Sequence, residues 1–142
     1  MLCFFYIACD VSITLAEQIS TIMQKLQIVT DTNMLINFND MPTRTVAGMN
    51  GGIGKLSAKM FLDEQEKVIL CHIPVGGSIG THLHQTSDDI NYVLSGTGKA
   101  ICDGKEELLM QGVCHICKKG SEHSIINTGT EDLILLTIVA ER

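Results

Sequence analysis

The chain is poor in aromatic side chains. Tryptophan is absent, and phenylalanine and tyrosine together make up 4% of the 142 residues. Half of these aromatic residues stand at positions 4–6, which leaves Phe38, Phe61 and Tyr92 for the rest of the chain. Sites that stack sugars or cage quaternary ammonium groups depend on aromatic faces. The composition therefore argues against a lectin-like or betaine-binding protein.

Positive charge is also scarce. The formal net charge is −6, and the densest basic stretch is the pair Lys118-Lys119. Proteins that bind nucleic acid neutralise phosphates with clustered Lys and Arg, so no nucleic-acid partner is expected. The apolar run at residues 2–8 is too short to span a bilayer, and no basic residue precedes it. We therefore expect neither a membrane partner nor a secretory signal.

The six cysteines do not require disulfides, because a chain of 142 residues is long enough to build a core without them. Cys114 and Cys117 form a C-x2-C pair, but residues three apart on a strand point to opposite faces. A zinc ion shared by these two thiols is not expected. We predict buried free thiols. Because no secretory signal is expected either, we predict a cytoplasmic location.

Residues 1–33 and 34–142 differ in character, and we predict an N-terminal extension followed by one domain. Thr14 and Glu17 have the spacing of a capping box. Apolar residues then recur at helical spacing and predict an amphipathic helix over 14–28: Leu15, Ile19, Ile22, Met23 and Leu26. The motifs described below all lie after residue 34, so the domain does not need the extension. Met34 is therefore an alternative start of translation.

From residue 34 onward the pattern is that of short strands. Runs bounded by Gly, Pro, Asp or Asn predict strands at 55–62, 67–75, 90–94, 99–102, 113–117, 123–127 and 133–139. Asp103-Gly104 is a strong signal for a two-residue hairpin turn. Many short strands at this spacing are typical of a sandwich, a barrel or a jelly roll, and the strands alone do not choose among these.

Four side chains of types that commonly bind metals stand in two segments. His82 and His84 form an H-x-H pair, Asp89 follows shortly after, and His123 lies farther along the chain. Alternate residues of a strand point to the same face, so His82 and His84 project together. Three imidazoles and one carboxylate suit a divalent first-row metal ion. The sequence therefore predicts a metal site.

The same segments resemble the two motifs of the cupin superfamily, G-x5-H-x-H-x3-4-E-x6-G and G-x5-P-x-G-x2-H-x3-N. The first motif matches at Gly76, His82, His84, Asp89 and Gly96, and the second at Gly112, Gly120, His123 and Asn127. Lys118 stands where the family usually has Pro, and Asp89 where it usually has Glu. Asp is one methylene shorter than Glu, and the family spacing also admits Asp88, so Asp88 is the alternative carboxylate ligand.

The resemblance implies an all-β jelly-roll double-stranded β-helix that pairs as a homodimer and holds one divalent ion per chain, of iron, manganese, nickel or zinc. It also implies a first hypothesis for function: a mononuclear metal enzyme of dioxygenase, isomerase or lyase type that acts on a small polar metabolite. A non-catalytic module that binds or senses a small molecule is the alternative. A structural cupin that has lost its metal is a third, weaker hypothesis.

Four further residues have roles that depend on which way they face. His72 is a candidate catalytic base if it points into the barrel, and Asn91 shares the face of Asp89 and is a candidate for the substrate pocket. His115 is predicted to be an ordinary core or surface histidine. Asn127 is expected either to fix the turn that follows it or to touch substrate.

Overall fold

Antiparallel strands make up most of the chain that the computed structural model describes, residues 35–142. Residues 36–142 form one compact unit. The strands are β1 (Arg44–Ala47), β2 (Lys55–Leu62), β3 (Glu66–Ile73), β4 (Ser78–Leu83), β5 (Ser87–Ser95), β6 (Thr97–Cys102), β7 (Lys105–Met110), β8 (Cys114–Cys117), β9 (Glu122–Asn127) and β10 (Leu133–Glu141). Single 3-10 turns lie at Phe38–Asp40 and Met49–Gly51. No helix in this part of the chain is long and apolar enough to cross a membrane.

The strands form two sheets that face each other. One has six strands in the order β1-β2-β3-β10-β5-β8, and the other has four in the order β4-β9-β6-β7. The pairings described between neighbouring strands are antiparallel. This arrangement confirms the all-β jelly-roll prediction. The helix predicted over 14–28 and the start proposed at Met34 lie outside the described residues.

The hairpin predicted at Asp103-Gly104 joins β6 to β7. Asp103 has φ 47° and Gly104 has φ 77°, the pair of positive φ angles that a type I′ turn requires. The strand runs predicted from the sequence did not include β1, β4 or β7, although His82 and His84 were expected to lie on a strand. β1 is short and mostly exposed, and β7 buries only Leu109, so neither strand carries the clear apolar alternation that identifies a strand from sequence.

The space between the sheets is apolar at one end and polar at the other. Along β5 the inward side chains change from Val93 to Asn91 and Asp89, and the neighbouring β10 changes in register from Leu135 to Thr137. A core of fully buried aliphatic side chains fills the apolar end: Ile73, Val93, Leu109, Ile125, Leu133 and Leu135. Burying such a side chain contributes about 1.5–3 kcal/mol, so this end holds the sheets together and leaves the other end free for polar groups.

The loop before β2 packs directly on β4. A Cβ added at Gly52 would lie 2.1 Å from the carbonyl oxygen of Ser78, and one added at Gly80 would lie 2.2 Å from that of Asn50. Only glycine allows backbones to approach this closely. The contact brings Met49 and Asn50 to the wall of the cavity between the sheets.

Candidate metal centre

The four predicted ligands come together at the polar end of the sheets. His82 on β4 is paired in register with His123 on β9, His84 lies just after the end of β4, and Asp89 is on β5. One ligand atom from each of the four side chains can be chosen so that all lie within 4.8 Å of one another. The four side chains that the spacing predicted as ligands therefore lie together in the structure. They come from β4, β5, β9 and the segment that follows β4. This group could hold a metal ion.

The three imidazoles point the same nitrogen at a common centre. His84 Nε2 lies 3.1 Å from His82 Nε2 and 3.2 Å from His123 Nε2. With metal–nitrogen bonds of about 2.1 Å, neighbouring ligands lie about 3.0 Å apart on an octahedron and about 3.4 Å apart on a tetrahedron. The observed separations fall between these two values, so one ion fits among the nitrogens without rearrangement of the backbone.

The other ring nitrogen of each histidine has a partner of its own. His82 Nδ1 lies 2.9 Å from the carbonyl oxygen of Gly80, and His84 Nδ1 lies 3.2 Å from Ser87 Oγ. A carbonyl only accepts, so in neutral His82 the proton is on Nδ1 and the Nε2 lone pair points to the centre. This is the arrangement in which protein imidazoles usually bind metals.

His84 is held in the neutral form. Burial lowers the pKa of His84 below its usual range, and the nearby His123, His82 and Lys67 act in the same direction, while Asp89 opposes them. A histidine must lose its proton before it can bind a metal. The surroundings of His84 therefore prepare it as a ligand.

Asp89 is buried and incompletely satisfied. Its Oδ2 lies 3.0 Å from His123 Nε2 and 3.5 Å from His84 Nε2, so the shorter Asp reaches the cluster. Burial by itself would raise the pKa of Asp89, but its hydrogen bonds with His123 and Asn91 outweigh burial and hold that pKa below the usual range. Its Oδ1 is buried and has no hydrogen-bond partner among the described residues. An orphaned carboxylate oxygen is costly, and a bound cation would remove that cost.

Asn91 lines the cavity, but its amide is largely committed to other side chains. Its Nδ2 donates to Asp89 Oδ2 at 3.0 Å, and its Oδ1 accepts from Thr137 Oγ1 at 2.6 Å. Asn91 is 1% exposed. The contacts indicate that Asn91 mainly orients the Asp89 carboxylate.

Asp88, the alternative ligand, lies on the other face of β5. Its Oδ1 accepts from the backbone N–H of Lys119 at 2.9 Å, and its Oδ2 accepts from Lys118 Nζ at 3.3 Å and Arg142 Nε at 3.1 Å. The hydrogen bond from Lys119, followed by the contacts with Lys118 and Arg142, outweighs burial and holds the pKa of Asp88 low. Asp88 therefore ties the β8–β9 turn to Arg142 and is not part of the cluster.

The sequence did not predict the contact that His115 on β8 makes with the candidate ligand His123. His115 was predicted to be a core or surface histidine, and it is buried in the core. Its Nε2 lies 2.9 Å from His123 Nδ1. Its Nδ1 lies 2.6 Å from Glu107 Oε2 on β7. Alternation on β8 could show only that His115 and Cys117 share a face. Nothing in the spacing indicates that β7 and β9 bring Glu107 and His123 to that face.

A cavity of about 250 Å³ opens beside the four candidate ligands. Its walls are mainly aliphatic, with two amides (Asn50, Asn91) and two hydroxyls (Ser87, Thr137). Lys67 is the cationic side chain among the described residues that line it, and its Nζ lies 3.6 Å from Glu141 Oε1. Burial raises the pKa of the Cys71 thiol, which also lines the wall, to about 12.

The structure places His72 away from this cavity. His72 lies on β3 next to Cys71, whose side chain lines the cavity, and alternation directs His72 to the opposite face. There it lines a second pocket with Thr43, Ser57 and Lys59. The role of catalytic base required His72 to face inward, and it does not.

Asn127 and the C-x2-C pair have structural surroundings. Asn127 accepts from the backbone N–H of Gly129 at 2.9 Å and donates to the carbonyl oxygens of Ile73 and Glu131, both at 2.8 Å, so it fixes the turn after β9. Cys114 is exposed and Cys117 is buried. This confirms that the two thiols point to opposite faces of the strand.

Comparison with known proteins gives a family match. The family model described as the cupin domain matches residues 69–139. An oxalate-binding protein from Thermotoga maritima is 29% identical over 114 residues, which cover 76% of this chain and 94% of that protein.

Solved structures give the same fold. The crystal structure of a predicted oxalate decarboxylase from Thermotoga maritima matches with a TM-score of 0.73 and 26% identity, over 77% of this chain and all of that one (100%). An RmlC-like cupin from Shewanella frigidimarina matches with a TM-score of 0.65 and 14% identity, over 78% of this chain and 93% of that one. At 14% identity the second match bears on the fold alone.

Proposed function

The chain belongs to the cupin family, and from that premise we propose that it binds one divalent first-row metal ion and, at that ion, a small dicarboxylate of the oxalate class. His82, His84, Asp89 and His123 would hold the ion. The observation that carries the proposal is the convergence of three imidazole Nε2 atoms and Asp89 Oδ2. The other Asp89 oxygen, Oδ1, is buried and has no hydrogen-bond partner among the described residues. A bound cation would offset the cost of gathering these lone pairs and burying the carboxylate.

The donor set leaves room for a ligand. Three imidazoles and a carboxylate occupy four positions, and a metal ion of this class supplies further positions to which carboxylate oxygens bind. A cavity of about 250 Å³ accommodates a compact metabolite beside them. The oxalate-binding relative, 29% identical over most of both chains, supports the choice of ligand class.

Lys67 supports an anionic ligand. Apart from the candidate ligands, it is the charged side chain among the described lining residues, which are otherwise aliphatic, sulfur-containing, amide or hydroxyl side chains. Its effect on the pKa of His84 reflects its proximity to the cluster. A cation at this position attracts an anion into a cavity of low polarity, and we assign to Lys67 the preference for a dianion over a neutral molecule.

Binding without turnover fits the lining better than catalysis does. Apart from the candidate ligands, Lys67 and Cys71 are the ionisable side chains among the described residues that line the cavity. With a pKa of about 12, Cys71 remains a neutral thiol at physiological pH and is a poor nucleophile. His72, the candidate base, faces elsewhere. The lining contributed by residues 35–142 therefore lacks a tuned acid–base pair.

Lyase activity on the same ligand is the second candidate. It is favoured by the match to a predicted oxalate decarboxylase over the full length of that chain, at 26% identity. Metal-loaded protein incubated with oxalate would release formate and carbon dioxide, one of each per oxalate with uptake of one proton. Formate measured by NMR distinguishes this candidate from simple binding.

The first test is elemental analysis of protein purified without chelators or affinity-tag metal, beside His82→Ala. We expect about one iron, manganese, nickel or zinc ion per chain in the wild type and none in the variant. Calorimetry with oxalate then tests the ligand, with Lys67→Met as the variant that should weaken oxalate binding while leaving the metal content unchanged. A wild type that takes up none of these ions after anaerobic loading would refute the proposal.

We further propose that two copies pair through the outer face of the six-stranded sheet. A row of apolar side chains crosses five of its strands in register: Phe61, Val68, Ile138, Ile90 and Ile116. The row contains no charge and each member is at least partly exposed, a setting typical of a surface that packs against another. Light scattering at micromolar concentration should give a dimer. Ile116→Lys should give a monomer, and the control Leu108→Lys, on the outer face of the other sheet, should not.

A further inference from the structure

A line of side chains runs from the protein surface to the candidate centre. Glu107 on β7, half of whose side chain is exposed, contacts His115 Nδ1 at 2.6 Å. His115 is 2% exposed, and its Nε2 contacts His123 Nδ1 at 2.9 Å. The planes of the His115 and His123 rings are inclined by only 20°, and their centroids lie 5.1 Å apart. The line links the two sheets, because β8 belongs to one, and β7 and β9 to the other.

The chemistry of these groups sets where the protons lie. The Glu107 carboxylate only accepts, so a neutral His115 carries its single proton on Nδ1. Its Nε2 is then an acceptor, and the partner that donates to it is Nδ1–H of His123. In that tautomer the Nε2 of His123 has a free lone pair directed at the centre.

Asp89 favours the other tautomer of His123, in which the single ring proton is on Nε2. Its Oδ2 lies 3.0 Å from His123 Nε2 and would accept from an Nε2–H. A His123 with its proton on Nε2 cannot bind a metal through that atom. The tautomer of His123 therefore depends on which of the two acceptors, His115 or Asp89, takes its hydrogen bond.

We propose that Glu107 and His115 are positioning residues that hold His123 in the tautomer whose Nε2 is free for the metal. The inference rests on the proposed metal function. Outer partners of metal-binding histidines usually contribute about 10- to 100-fold to metal affinity. Glu107 is partly exposed and is expected to lie near the lower figure, and the buried His115 near the upper one.

The first experiment compares two neighbouring carboxylates. Glu106, next to Glu107 on β7, pairs with Lys99 at 2.8 Å and does not contact His115. Glu106→Gln and Glu107→Gln remove the same charge from adjacent positions, so general electrostatics affects both similarly. In a competition with a chelating zinc indicator, we expect Glu107→Gln to weaken zinc binding about 10-fold and Glu106→Gln to leave it unchanged. Equal affinities for the two variants would overturn the inference.

The second experiment separates the acceptor role of His115 from its packing role. His115→Gln offers a carbonyl that can accept from His123 Nδ1–H, whereas His115→Leu fills the space without an acceptor. Long-range proton–nitrogen NMR of the histidines in metal-free protein reports the tautomer directly. We expect the Nδ1–H form of His123 in the wild type and in His115→Gln, and a shift towards Nε2–H in His115→Leu.

A His123 that keeps one tautomer in all three proteins would show that His115 has only a packing role. The NMR result does not require metal. If the wild type binds no ion, the proposed function fails, while the tautomer measurement still decides this inference. If the wild type binds zinc and the tautomer does not respond to His115, the inference alone fails.

Discussion

The adjacent residues Asp88 and Asp89 allow the candidate centre to be tested with one chemical change made at two positions. Asp89 contacts the histidine cluster, whereas Asp88 is held by Lys118, Lys119 and Arg142 on the other face of the same strand. Asp→Asn keeps the shape of each side chain and removes its charge. Asp89→Asn should weaken metal binding, and Asp88→Asn should lower the stability of the metal-free fold without changing metal affinity.

The size of the effect follows from linkage. At a free metal concentration of about 100 times the wild-type Kd, binding stabilises the fold by about 2.7 kcal/mol. For a domain of about a hundred residues this raises Tm by roughly 10–20 °C. If loss of the Asp89 charge weakens binding about 100-fold, the upper end for a metal partner, the same concentration contributes only about 0.4 kcal/mol. The metal-induced shift then falls to roughly 2–3 °C.

The assay is thermal unfolding of chelator-stripped protein, followed by circular dichroism across a metal titration. The Tm of each variant is first measured without metal, so a change in fold stability is separated from a change in metal binding. Each variant then serves as the control for the other. Asp88→Asn should begin lower than the wild type and keep the full metal-induced shift. A full shift in Asp89→Asn together with a lost shift in Asp88→Asn would refute the assignment of Asp89 to the centre.

Three further predictions concern the fold around the site. Burial raises the pKa of Cys117 to about 12 while Cys114 is exposed, so iodoacetamide at about pH 8 should label Cys114 and spare Cys117; peptide mass mapping that finds equal labelling would contradict this. A Cβ at Gly80 would lie 2.2 Å from the Asn50 carbonyl oxygen, so Gly80→Ala should cost about 1–3 kcal/mol of unfolding free energy; an unchanged urea midpoint would show that the loop moves aside. Hydrogen bonds, first of all from a backbone N–H, hold the pKa of Asp103 low. Its folded value thus lies below the unfolded value of about 3.9, so its contribution to stability is present above that pH and is lost as pH falls through the folded value. Asp103→Asn should therefore reduce the loss of stability in acid, measured from urea midpoints across that range, and an unchanged profile would contradict the linkage.

Local patterns in the sequence determined the strands with strong apolar alternation and the turn at Asp103-Gly104. They also determined which histidines share a face, because alternation along one strand is a property of the backbone. The resemblance to cupins added the jelly roll. Together these predicted that His82, His84 and His123 would meet, and the structure brings them together. β1 and β7 were not predicted because they are mostly exposed. Their sequences therefore lack the alternation of apolar and polar residues that identifies a strand with one buried face.

Only the tertiary structure decided which of two adjacent carboxylates enters the cluster, and which way His72 points. A strand pattern shows that neighbouring residues face opposite sides, but the packing of the second sheet decides which side is inside. The contacts from Glu107 through His115 to His123 join β7 and β9 of one sheet to β8 of the other. They arise where two sheets pack face to face, and no spacing within one strand encodes them.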